Sequence, residues 1–278
     1  MQLITPTKPL LAGLMLLAAT QAHAKLTSYT ANGTDLVYSS VSDVTWTKDA
    51  NLLGSMFASQ GFDTVVNAII AASPTISNTP NFYSPTGTYI ISASDFSSNG
   101  STSWFGAIAY INYLNSISYA GGNQWHLPTI IDRGTPGCDF FAYSGTDCGY
   151  NSATNGTAKG DELAELYYQE LGSLASKDIY GDNQPDYGIK DPNNTFVNEQ
   201  SSLYWSGTES APNADGAWGF GTNYGYQSPS VKNDSFTNSL FYAWAVSPGQ
   251  IAAVPEPESV AMLLAGIGLL GGVMRRHG

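Results

Sequence analysis

Charge is scarce in this chain. Only 12% of its 278 residues are Asp, Glu, Lys or Arg, about half the share of an ordinary globular domain. Basic side chains are the scarcest, with 10 Lys and Arg against 22 Asp and Glu and a formal net charge of −12. Nucleic acid and bare anionic lipid are thereby excluded as partners, because neither phosphate backbone nor headgroup would find a basic patch. Histidine falls to 3 and cysteine to 2. Two thiols with so few imidazoles do not make a four-ligand zinc site, and no Cys-x-x-Cys pair suggests redox chemistry. Aromatics, by contrast, are plentiful at 6 Trp, 17 Tyr and 11 Phe. That much surface to bury excludes wholesale disorder.

Residues 1–24 have the layout of a secretory signal peptide. Lys8 supplies the early positive charge, Leu10 to Ala19 the apolar run, and Ala22-His23-Ala24 an A-x-A cleavage site ahead of Lys25. A buried N-terminal helix would leave the position of Ala22 and Ala24 unexplained. The low charge and the many Ser, Thr, Asn, Gly and Tyr residues suit an exported surface protein.

The other end is equally patterned. Pro255-Glu256-Pro257 precedes an uncharged apolar run over 260–274, then Arg275-Arg276. Fifteen helical residues rise about 22 Å, short of the roughly 30 Å hydrocarbon core, so the segment predicts a short and marginal transmembrane helix. Gly266, Gly268, Gly271 and Gly272 weaken it further, and the arginine pair would hold its end on the cytoplasmic side. The tripeptide, glycine-rich run and arginine pair over 254–278 together resemble the PEP-CTERM sorting signal. The resemblance implies that an exosortase and the export machinery are partners. It also implies membrane contact through 260–274 before processing, and an envelope or extracellular destination.

Between the two ends, residues 25–253 read as one α+β domain. Without the ends, seven basic and twenty acidic side chains remain, a net of −13, and His126 is the one histidine. Short strands are expected at 35–38 and 44–46, helices at 61–72, 103–116 and 161–172, and aromatic strands at 203–206, 217–221 and 241–246. Ser101 or Thr102 would cap the second helix and Asp161 the third. Residues 74–103 are rich in turn formers and read as a decorated loop, and the stretch 55–100 reads as a possible inserted loop. Cys138 and Cys148, an even pair in an exported chain, are expected to form a disulfide.

Five segments then occur in order: Val44-Thr45-Trp46-Thr47-Lys48-Asp49-Ala50-Asn51, Trp125-His126-Leu127-Pro128-Thr129, Glu162-Leu163-Ala164-Glu165-Leu166-Tyr167, Tyr204-Trp205-Ser206-Gly207-Thr208-Glu209 and Ala243-Trp244-Ala245-Val246. This set resembles the Lcl C-terminal domain family over most of 36–250. The resemblance implies a C-type-lectin-like fold, shared with formylglycine-generating enzymes, and extracellular adhesion to polysaccharides. His126 and Asp132 depart from the family pattern, and the acidity disfavours sulfated, polyanionic glycans.

Catalysis finds little footing. A Ser-His-Asp triad would have to centre on His126, which sits in a strand-like run. The carboxylate pairs Glu162/Glu165, Asp182/Asp186 and Glu209/Asp215 could serve a glycan hydrolase. Glu162 and Glu165, one helical turn apart, are better read as a solvated face. Asp182 and Asp186 offer hard oxygens that make calcium possible, although such clusters with Pro and Gly are ordinarily turns. No other cofactor is expected. Binding is easier to motivate, because sugars have apolar faces ringed by hydroxyls and suit aromatic platforms beside amides and carboxylates. Glu209, Asn213, Asn223, Tyr224 and Tyr226 are the candidate ligand-binding residues, while Trp125, Trp205, Trp218 and Trp244 are expected in the core. A structural matrix protein without a defined ligand is the alternative, and a glycan hydrolase a third.

The disulfide has a direct test. Alkylation of the unfolded, unreduced chain should label neither Cys138 nor Cys148. Prior reduction should expose both thiols and lower stability by about 2.5–3 kcal/mol. Full labelling without reductant would refute the bridge.

Overall fold

A computed structural model of the chain describes residues 26–132, 143, 147–152, 161–233 and 240–252. The signal segment, Cys138 and the whole sorting tail with its expected membrane helix lie outside them. Among the described residues no helix is long and apolar enough to cross a membrane.

Strands β1 (Leu26–Ala31), β2 (Thr34–Ser39) and β3 (Val44–Thr47) open the fold as an antiparallel meander. The first turn is Asn32-Gly33, both at positive φ (50° and 75°), the chemistry that a two-residue hairpin of matching twist requires. Helices α1 (Leu52–Gln60) and α2 (Phe62–Ala72) follow, then the small hairpin of β4 (Thr75–Ser77) and β5 (Thr88–Ile90). Helix α3 (Trp104–Ser116) crosses behind them. After β6 (Gly149–Tyr150) comes α4 (Glu162–Glu165), which widens into a π turn over Leu166–Glu170. Strands β7 (Leu203–Glu209), β8 (Gly216–Gly221) and β9 (Tyr226–Val231) join β6 in an antiparallel sheet of order β6-β9-β8-β7. The last strand, β10 (Val246–Pro248), returns to the first sheet beside β3, giving the order β1-β2-β3-β10.

The expectation of α+β therefore holds, with four α-helices among the described residues where about three were read. The stretch 55–100 is not a loop. It carries most of α1, all of α2 and the β4–β5 hairpin, and Phe57, Val65, Val66, Ile69, Ile76, Ile91 and Phe96 lie in the main core. Its turn formers mark short connections between elements that bury apolar side chains. The α3 cap is Ser103, whose Oγ accepts from the Gly106 N–H at 3.0 Å, because Thr102 Oγ1 is occupied with the Asp95 carbonyl. The expected strand 241–246 is an extended segment held by isolated bridges on both sides, with β10 beginning at its last residue.

That segment organises two cores. Phe241, Ala243 and Ala245 face a cluster built on α1, α2 and α3, whereas Tyr242, Trp244 and Val246 face a second built on Val37, Trp46, Leu163, Tyr167 and Phe220. Alternate side chains of an extended backbone point to opposite sides, so one run of six residues can serve both. Its backbone pairs with β7 through Tyr242 N–H to Leu203 C=O (2.9 Å) and Trp205 N–H to Tyr242 C=O (2.9 Å), and accepts the Thr47 N–H of β3 at Ala245 C=O (3.1 Å). At the centre, Trp244 meets Trp46 edge-on at 5.0 Å and Phe196 at 4.8 Å, and its indole donates to Thr47 C=O at 2.9 Å. Trp104, Trp125 and Trp205 likewise bond backbone carbonyls, and Trp218 bonds Asp132, as buried indoles generally must. All four tryptophans expected in the core are buried.

Helix α4 corrects another expectation. Glu162 and Glu165 are buried, not solvated. The N–H groups of the neighbouring segment 129–131 bond side chains, Ile130 to Thr208 Oγ1 of β7 at 3.1 Å and its two neighbours to acceptors at the start of α4. Asp161 takes the Ile131 N–H at 2.6 Å and Glu162 the Thr129 N–H, so Asp161 does not cap its own helix. Glu165 accepts from the Ser42 hydroxyl at 2.6 Å. Burial raises Glu162, against the Thr129 N–H and the nearby His126. Burial likewise pushes Asp161 up to about 6 and Glu170 up to about 7.

Two predictions follow from this packing. Trp244→Ala should destabilise the domain by about 3–5 kcal/mol in urea denaturation, since it empties the contact between the sheets. For Asp161 and Glu170, the unfolded carboxyls lose their protons near pH 4, the folded ones only near 6 and 7. The folded chain thus holds extra protons in that window, and their contribution, complete below about pH 4, is lost as pH rises to about 7. Asp161→Asn combined with Glu170→Gln should flatten this slope and raise stability at pH 8 by about 1–3 kcal/mol. An unchanged difference between pH 5 and pH 8 would contradict the assignment.

Candidate functional site

The β8–β9 connection, Thr222–Gly225, places the strongest cluster of binding-type side chains. Gly225 N–H returns to Gly221 C=O at 2.8 Å, and Gly225 sits at φ +64°. A Cβ there would come within 2.8 Å of both the Ala175 backbone and the Tyr168 hydroxyl, so only glycine permits this close approach. Tyr224 C=O accepts the Ser176 N–H at 2.8 Å, and Thr222 C=O the Ile189 N–H at 2.8 Å. These bonds stitch the long loop 173–189 to the turn.

The π turn below supplies two more fasteners. Leu171 N–H bonds Leu166 C=O across five residues at 2.9 Å, a widening often found beside functional sites. It projects Tyr167 and Tyr168 side by side. Tyr167 Oη donates to Leu174 C=O at 2.6 Å and accepts from Gly188 N–H at 3.1 Å. Tyr168 Oη donates to Gly225 C=O and accepts from Asn151 N–H at 3.0 Å.

On this frame lies a solvent-open cleft of about 560 Å³, lined among others by Tyr143, Tyr150, Lys177, Asn223, Tyr224 and Tyr226. Tyr150 and Tyr226 are direct cross-strand partners of β6 and β9, with rings 4.8 Å apart. Tyr143 stacks on Tyr150 at 6.2 Å and 23°. Asn151 holds that side by donating to the carbonyls of Tyr143 (2.8 Å) and Lys177 (3.0 Å). Tyr224, 48% exposed, faces the 45%-exposed Tyr187 at 5.7 Å and 23°. Burial, then the neighbouring Tyr150, raise the Tyr226 hydroxyl above its ordinary value, so it stays a neutral donor and acceptor across ordinary pH.

The structure thus brings Asn223, Tyr224 and Tyr226 together and separates Glu209 and Asn213 from them. Those two stand at the far end of the β7–β8 hairpin, near Gly216 rather than Gly221, about 17 Å away along the strand. Glu209 is committed elsewhere. Its carboxylate pairs with the fully buried Lys232 ammonium at 2.7 Å and accepts the Thr79 N–H at 3.2 Å. Asn213 Oδ1 accepts the Asp215 N–H in the turn. Asp182 lies in the 178–182 turn, where its backbone N–H bonds Asp178 Oδ1 at 2.9 Å, and Asp186 adopts a positive φ of 57°. Among the described residues, no three His, Cys, Asp or Glu side chains converge as metal ligands would. His126 is a backbone-paired residue opposite Val246, its Nδ1 2.8 Å from Leu127 C=O.

Sequence reasoning missed Tyr143, Tyr150 and Tyr187. The excess of tyrosine over phenylalanine was a general signal, but no spacing links residue 143 to 226. Cys148 is buried with Ile130 and Trp218, while its expected partner Cys138 lies outside the described residues.

Comparison with known proteins bears on the tail. The profile of the PEP-CTERM protein-sorting motif matches residues 253–276. Neither the curated proteins nor the solved structures contain a match, so the likeness of 36–250 to Lcl C-terminal domains stays an expectation. With the sorting motif at 253–276, the chain carries the mark of an exported protein that an exosortase processes at the membrane.

Proposed function

We propose that the mature chain is a non-catalytic, lectin-like binder of extracellular polysaccharide, working outside the cell after exosortase sorting. The observation that carries this reading is the convergence of Tyr143, Tyr150, Tyr224 and Tyr226 with the Asn223 amide around one open cleft. Tyrosine rings supply apolar platforms for pyranose faces, and their hydroxyls and the amide supply donors and acceptors for the ring of sugar hydroxyls. The resemblance of the five ordered segments to Lcl C-terminal domains, an expectation from sequence, points the same way. Binding is preferred to hydrolysis because glycosidic cleavage calls for two flanking carboxyl groups, and the described lining of the cleft contains none. Calcium enters this reading only as a variable to be tested.

The deciding experiment is titration of the purified exported chain with the host's own exopolysaccharide, in calcium and in chelator. Saturable binding is expected, weakened roughly tenfold by Tyr224→Ala or Tyr226→Ala, the equivalent of about 1.4 kcal/mol. Unchanged affinity in both folded variants would remove the cleft as the site. Absence of binding by the folded wild-type chain would favour a structural matrix protein, and release of reducing sugar would favour a hydrolase.

A further inference from the structure

Resting on that reading, we infer that the ligand is an internal stretch of a linear, largely uncharged polysaccharide, held across two adjoining cavities rather than as a chain end in one. Beside the 560 Å³ cleft lies a second open cavity of about 490 Å³, lined by Tyr150, Ser176, Asn183, Tyr187 and Tyr224. Tyr150 and Tyr224 belong to both, so the two meet at these rings.

Each cavity repeats the same chemistry. The first has Tyr143 and Tyr226 with Asn223 and Ser228, and the second has Tyr187 with Asn183 and Ser176. A ligand confined to one sugar would use one such set. Two sets sharing a tyrosine boundary suit a chain that presents successive sugar faces as it passes over Tyr224. The frame is fixed on both sides of that boundary. Tyr224 C=O holds the Ser176 N–H, Ser176 C=O holds the Gln184 N–H at 3.0 Å, and Gln184 Nε2 donates to Ala175 C=O at 3.0 Å. A groove formed in advance spares the cost of ordering loops on binding.

Charge selects the polymer. Among the described residues that line the two cavities, Lys177 alone is charged, while the chain as a whole carries −12. A polyanion would approach against that field, and a lone lysine among tyrosines does not make an anion track. Uncharged sugars bear neither penalty.

The test uses fragments of the host exopolysaccharide from partial hydrolysis, separated by charge and then by size, titrated against the exported chain. Neutral fragments of five to eight sugars should bind at least thirtyfold tighter than mono- and disaccharides. Tyr187→Ala, which removes the ring stacked on the shared Tyr224, should weaken the long fragments about tenfold and the short ones distinctly less. Asn183→Ala should act in the same direction, guarding against a local folding defect in the first variant. Equal affinity for short and long fragments, with Tyr187→Ala silent, would overturn the extended-chain inference and leave polysaccharide binding intact. Preference for the acidic fractions would overturn its uncharged character. Failure of every fraction to bind would remove the underlying reading itself.

Discussion

The fold depends on one extended run, residues 241–246, whose side chains alternate between two cores. The requirement is exacting. A shift of one residue would send Trp244 toward the cluster that Ala243 and Ala245 now fill with small side chains, and would leave a void against Trp46. The backbone of the run is also shared, since β3 and β7 each take hydrogen bonds from it or give them to it. Both sheets are therefore placed relative to each other by the same few residues, and the β7–β8–β9 surface inherits its position from them.

The tyrosine cleft lies on that second sheet, and its precision comes from polar fasteners more than from apolar packing. Tyr167 and Tyr168 reach from the π turn to the loop 173–189 and to Gly225. Asn151, at a φ of +56°, reaches both Tyr143 and Lys177. These groups are satisfied within the protein, which leaves the exposed rings of Tyr187 and Tyr224 and the neighbouring amides to face outward. The acidic side chains of α4 perform a parallel task on the other face. They accept N–H groups from an irregular segment that would otherwise carry unsatisfied donors into the interior, and the resulting burial explains the raised carboxyl pKa values there.

Much of the fold was legible in local pattern. Val65, Val66 and Ile69 announce α2 by their spacing, and Trp104, Ala107, Ile111 and Leu114 announce α3. The Asn32-Gly33 pair was an unread signal for the first hairpin. Helix α1 was hidden because its buried stripe is short, only Leu53, Met56 and Phe57, and its start is set by Asn51, whose Oδ1 accepts the Gly54 N–H at 3.3 Å. The solvated reading of Glu162 and Glu165 failed for a different reason. Helical spacing says which side chains share a face, not what covers that face, and here the cover is the distant segment 127–132 together with Ser42.

Sorting was determined by sequence alone, because the signal at 253–276 is linear. A run of apolar residues, a tripeptide and an arginine pair are read in order by processing machinery, and they need no partner elsewhere in the chain. The same is true of the broad α+β character, which follows from hydrophobic spacing within each segment. The cleft was decided only by tertiary structure. Tyr143, Tyr150, Tyr187, Tyr224 and Tyr226 are spread over more than eighty residues, and what unites them is the pairing of β6 with β9 and the stitching of one loop to one turn. Glu209 stands closer to Tyr224 in sequence than Tyr150 does, yet strand direction carries it to the opposite end of the sheet, where a buried lysine claims it.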